Sequence, residues 1–183
     1  MTDSTISTER RRWLLGGVAL AAAGTGAWVA WEQTRGMSSN DEAVQAFWDL
    51  QLPQPDGTPM ALSSLRGKPA LVNFWATWCP PCVREMPLIT QFAQAQAARG
   101  VHAVQVLGIA VDQAANVNKW MTRQPLAFPV VLAGAGGVSM TRTLGNISGG
   151  LPFTILFDAQ GQVQQRKIGE LSEQDLAQWA SFA

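Results

Sequence analysis

Apolar and polar positions follow three regimes along this chain. Residues 13–31, "WLLGGVALAAAGTGAWVAW", hold no charge and show no polar face. At a helical rise of about 1.5 Å per residue, such a run nearly crosses a hydrocarbon layer about 30 Å thick. Small and polar residues follow at 32–44 and read as a tether. From residue 45 to 183 the pattern is that of a globular domain. "PALVNFWA" (Pro69–Ala76) and "AVQVLGIAV" (Ala103–Val111) are near-continuous apolar runs, as in central strands covered on both faces. "AFWDLQL" (Ala46–Leu52) alternates and predicts a strand, with turn chemistry after it in "PQPDGTP".

The spacing turns helical from Pro80 to Ala98, closed by Gly100, and Pro87 inside that helix is expected to kink it. A second helix is predicted in "QAANVNKWMTRQ", with Val117, Trp120 and Met121 on one stripe. "FPVVLA" predicts a short strand and "GGVSMTRTLG" a brief helix. "FTILFDAQGQVQQRKIG" predicts a hairpin turning at "DAQGQ". "LSEQDLAQWASFA" predicts a last helix, with Ser172 as N-cap and Asp175 three residues on. This order predicts an α/β fold, a mixed central sheet with helices on both faces.

Charge decides which way round the chain sits. Arg10, Arg11 and Arg12 precede the apolar block, while Glu32 and Arg35 beyond it cancel. Trp13, Trp28 and Trp31 lie near its ends, where amphipathic rings favour the interface. The positive-inside rule then keeps residues 1–12 in the cytoplasm, and 13–31 span the inner membrane as a single anchor. The domain is thereby placed in the periplasm. "ERRRWLL" also resembles a twin-arginine signal, and "ALA" at Ala19–Ala21 a cleavage site, but a cut there leaves a very short apolar region. An uncleaved anchor is the preferred reading. Overall, 13 basic side chains balance 13 acidic ones, and no basic patch points to nucleic acid.

The two cysteines stand together in "NFWATWCPPCVREMP" (Asn73–Pro87). Cys79 follows the predicted central strand and Cys82 opens the helix, so both sulfurs share one helix face within bonding reach. A staple over so short a loop would constrain little unfolded-chain entropy. Metal use falls short on ligands, since only His102 could join the pair. Haem attachment needs a histidine where Val83 stands. Redox chemistry is the remaining use of the pair, with no cofactor beyond its own disulfide.

"FWATWCPPC" resembles the active site of thioredoxin-fold proteins, and the longer stretch is similar to the TlpA-like branch. That branch comprises membrane-tethered extracytoplasmic thiol–disulfide oxidoreductases, including those serving cytochrome c maturation. "LSSLRGKPALVNFW" and "GGLPFTILFD" match it as well, in the right order. The resemblance implies a cis-proline at Pro152, with the Leu151 backbone opposite Cys79 to pair with an incoming chain. Cys79, at a helix N-terminus that favours a thiolate, is the expected nucleophile, and Cys82 the resolving thiol. Glu85, one turn after Cys82, matches an acidic residue linked in that branch to the proton of the second cysteine. The alternative to that part is a solvated helix glutamate. Thioredoxin itself carries a buried carboxylate where this chain has Asn73.

Trp75, Trp78, Pro80, Pro81, Leu151 and Phe153 are expected to frame the docking surface, although Trp75 could be plain core. Where the cytochrome c maturation type has an acidic residue after the cis-proline, this chain has Phe153. Pro80 and Pro81 remove two N–H donors from the Cys79 sulfur, which implies a moderately stabilised thiolate and a reducing pair. The expected partners are disulfides of exported proteins and a membrane thiol electron donor, with the protein a monomer. A disulfide-forming oxidase or isomerase of the same fold is the alternative. A thiol peroxidase lacks its threonine, since Ala76 holds that place, and a copper chaperone lacks its wider cysteine spacing.

Overall fold

The computed structural model describes residues 39–100 and 103–182. The expected anchor at 13–31, the basic segment 1–12, most of the tether and His102 lie outside these residues. Among the described residues no helix is long and apolar enough to cross a membrane.

The first element corrects the expected strand over Ala46–Leu52. Ser39–Trp48 form a helix, α1, and only Gln51–Pro53 are extended, as β1. Val44, Phe47 and Trp48 are spaced for one helical face and all three are buried, while Asp41 and Glu42 sit in the first turn where the helix dipole favours them. The end of the expected tether is therefore helix from Ser39 onward. β1 pairs with β2 (Pro59–Ala61) as a separate two-stranded ribbon, and a 3-10 turn at Leu62–Leu65 leads into the main sheet.

The main sheet has five strands in the order β5-β4-β3-β6-β7. β3 (Ala70–Trp75), β4 (Gln105–Ala110) and β5 (Val130–Leu132) run parallel, whereas β6 (Phe153–Phe157) and β7 (Val163–Ile168) form the antiparallel hairpin. β3 is buried along its whole length, as its apolar run requires of a central strand. β7 alternates half-buried and exposed positions, which suits a sheet edge.

Period-2 alternation sends successive β3 side chains to two cores. Ala70, Val72 and Phe74 face one side, covered by α1 and by α4 (Gly137–Thr143). Leu71 and Trp75 face the other, covered by α2 (Pro80–Ala97), α3 (Ala114–Met121) and α5 (Glu173–Trp179). α2 is continuous through Pro87. α5 opens on the expected capping box, in which Ser172 and Asp175 exchange side-chain and backbone bonds.

Candidate active site

The end of β3 delivers the chain to the mouth of α2, and Cys79 is the N-cap of that helix. Pro80 and Pro81 occupy the first two helical positions, where a missing N–H costs no intrahelical bond. The first free N–H belongs to Cys82, and it donates to Cys79 Sγ at 3.3 Å. That single donor is what the two prolines leave to the sulfur. Cys79 and Cys82 are joined as a disulfide with their Cα atoms 5.3 Å apart. Cys82 is wholly buried, whereas Cys79 keeps 4% of its surface.

Antiparallel pairing of β3 with β6 puts Phe74 opposite Phe153. Pro152, just before β6, thus lies at the same sheet end as the Ala76–Cys79 loop, and the Leu151–Pro152 peptide is cis. Trp78 is 63% exposed beside the disulfide and borders a groove of about 400 Å³ with Asp112, Asn116, Gly134 and Val138. Pro80 is exposed, and Pro81 and Leu151 are half-buried. Two expected docking residues are not at the surface. Trp75 points into the α2 side of the core and packs on Trp120, ring centroids 5.0 Å apart. Phe153 points into the opposite core against Phe74, the sheet face that strand alternation gives it, and is wholly buried there.

Beneath Cys82 lies a buried polar group. Glu85, one helical turn on, is 1% exposed. Its Oε1 accepts from Asn73 Nδ2 at 2.8 Å and its Oε2 from the Leu171 N–H at 2.7 Å. Asn73 Nδ2 also donates to Thr154 Oγ1 at 2.9 Å, its cross-strand neighbour on β6. Burial pushes the Glu85 carboxyl up to about 7, against the pull of the Leu171 and Asn73 donors. Glu170 adds to the rise and Lys167 opposes it. A carboxyl so placed changes charge near neutral pH.

Sequence reasoning missed Asp112. Burial disfavours its charge, yet donors from Thr77, Asn116 and Gln113 hold the carboxyl below the usual range. Oδ2 accepts from the Thr77 N–H at 3.0 Å and hydroxyl at 2.5 Å, and Oδ1 from Gln113 N–H and Asn116 Nδ2. The loop bearing Trp78 and Cys79 is thereby tied to the start of α3. A polar Asp directly after the apolar β4 run was the available signal, since strand ends are where such sheets place chemistry.

A redoxin family model matches residues 37–179. The thiol–disulfide oxidoreductase ResA of Geobacillus thermodenitrificans is 33% identical over 131 residues, 71% of each chain. Among solved structures, a thioredoxin-related protein of Neisseria meningitidis serogroup B superposes with a TM-score of 0.63 at 33% identity, covering 72% of this chain and 96% of its own. DsbF of MTB gives 0.63 at 26% identity, covering 76% and 96%. With Cys79 capping α2 and bonded to Cys82, the cis-proline at the same sheet end and the match spanning residues 37–179, this chain belongs to the redoxin family as a TlpA-like, thioredoxin-fold thiol–disulfide oxidoreductase.

Proposed function

We propose that this protein is a membrane-anchored, periplasm-facing reductant of disulfides in exported proteins. One observation carries the direction of electron flow: among the described residues a single backbone N–H, that of Cys82, reaches the Cys79 sulfur. A thiolate with so little support is a poor resting state, so the dithiol gives its electrons up readily. Cys79 attacks one sulfur of a substrate disulfide, forming a mixed disulfide and releasing the other sulfur as a thiolate. Cys82 loses its proton to the Glu85 carboxylate and attacks Cys79 Sγ. The Cys79–Cys82 bond forms, the second substrate sulfur leaves, and two electrons have passed to the substrate. Leu151 and Pro152 offer the backbone against which the substrate chain lies, and Trp78 an apolar wall beside it. A membrane thiol carrier restores the dithiol.

Titration against glutathione tests the direction. The expected potential lies near thioredoxin's, about −270 mV, and a value near the about −120 mV of a dedicated oxidant overturns the reading. An alkaline phosphatase reporter fused after residue 183 tests the location, since it is active only if the domain is exported.

A further inference from the structure

Residues 144–152 carry the chain from α4 to β6, and at the centre of this loop sits a polar side chain shut off from solvent. Asn146 is wholly buried, although Ile147 beside it is 86% exposed and Ser148 is exposed as well. Burying an amide is costly unless its atoms are paired, and here they are paired within the loop itself. Asn146 Oδ1 accepts from the Ser148 hydroxyl at 2.7 Å and from the Gly149 N–H at 3.2 Å. Nδ2 donates to the Gly150 carbonyl at 2.7 Å. The Asn146 N–H donates to the Thr141 carbonyl at 2.9 Å, which fastens the residue to α4. Gly149, at φ +69°, lies so near α4 that a Cβ there would stand 2.9 Å from Val138 Cγ1.

This hold decides where the backbone points at Leu151. In a planar trans peptide the C=O and the next N–H point opposite ways, so a Gly150 carbonyl turned to the buried amide turns the Leu151 N–H outward. On the other side of Leu151, the Pro152 carbonyl is taken by the Gly169 N–H at 2.8 Å. Among the described residues nothing takes up the Leu151 N–H or its C=O. A free pair on one residue is what an antiparallel neighbour fills, exchanging both bonds with it. Only a substrate with a peptide backbone can do so.

We propose that Asn146 is a positioning residue for substrate binding: by holding the Gly150 carbonyl it aims the Leu151 N–H at the substrate chain, and so favours disulfides carried in a polypeptide over small ones. This rests on the docking part given to Leu151 and Pro152 above. The bonds of Asn146 end within its own loop and α4, and it takes no part in the exchange of electrons.

The test compares two disulfides on the full chain. Insulin is turned over with dithiothreitol as reductant, and 5,5′-dithiobis(2-nitrobenzoate), which has no peptide bond, is given to the pre-reduced chain in a single turnover. Asn146→Asp keeps the shape of the side chain but sets an acceptor oxygen against the Gly150 carbonyl, so the hold is lost. With insulin its KM rises roughly tenfold while kcat stays within about twofold of the parent, as loss of binding rather than of chemistry requires. With the small disulfide its rate changes by less than about twofold. An insulin KM equal to the parent's overturns the proposal. So does an equal loss with both disulfides, which is what a damaged fold produces. A parent that reduces the small disulfide but not insulin removes the docking reading itself. Should Asn146→Asp not fold, Ser148→Ala decides, since it takes away the exposed hydroxyl that bridges Asn146 Oδ1 and the Gly150 N–H. An insulin KM raised about threefold upholds the proposal, and an unchanged one overturns it.

Discussion

The two faces of the sheet are packed to different ends. On the side of α1 and α4, Phe47, Trp48 and Phe157 nest with ring centroids 4.8 to 5.5 Å apart. The Trp48 indole N–H finds the Gly161 carbonyl at 2.8 Å. Gly161 itself is at φ +82°, and a Cβ there would stand 2.8 Å from Trp48 Nε1, so this turn admits glycine alone. On the side of α2, three buried polar atoms among the described residues lack a partner: Asn73 Oδ1, Trp75 Nε1 and Thr90 Oγ1. A carboxyl is buried there too, beneath the disulfide. One face is satisfied and spends nothing on reactivity. The other, which also carries the thiols, bears unmet polar groups, as faces with functional sites do.

Removing the reactive sulfur separates chemistry from stability most sharply. Cys79→Ser should abolish disulfide reduction in an insulin-precipitation assay while the domain stays folded; persistent turnover would detach the activity from the α2 face. On the opposite face, Trp48→Ala should lower stability in urea by about 4 kcal/mol, the range for emptying a large aromatic site. Thiol exchange well below the transition should be unaffected. A loss under about 1 kcal/mol would mean that the satisfied face is not the stabilising one.

The next effect belongs to Glu85. Its folded-state pKa, raised from 4.5 to about 7, means the folded chain holds the proton more tightly than the unfolded one. Below about 4.5 both states are protonated and no cost arises. As pH rises the unfolded state ionises first, and stability falls until the folded group also ionises near 7. At about 1.4 kcal/mol per unit, the oxidised protein should lose about 3 kcal/mol across this window in pH-dependent urea melts. Glu85→Gln should remove this decline, and a flat profile in the parent would contradict the burial of an ionisable carboxyl. The smallest effect is at the α5 cap, where Ser172→Ala should cost about 1 kcal/mol and leave the pH window in place.

What could be read from sequence was what local pattern encodes. β3 and β4 announced themselves as apolar runs, the hairpin by its turn, α5 by its capping box, and the cysteine pair by its spacing. α1 was misread because "AFWDLQL" also alternates, and the helical phase shows only when Val44 is included. The second layer of the site depends on pairings far apart in the chain. Thr77 meets Asp112 across 35 positions and Glu85 meets the Leu171 N–H across 86. Trp75 and Phe153 were placed at a surface because proximity to Cys79 and Pro152 in sequence says nothing of which sheet face a side chain takes.

The short segment between β7 and α5 works as a crossbar. At one end the Gly169 N–H holds the carbonyl of Pro152 at 2.8 Å, and at the other the Leu171 N–H holds Glu85, with Glu170 clasped by Arg84 between them. If a chain docking at Pro152 displaces this bar, its binding and the protonation of Glu85 are coupled, and each then alters the other's affinity by the same factor.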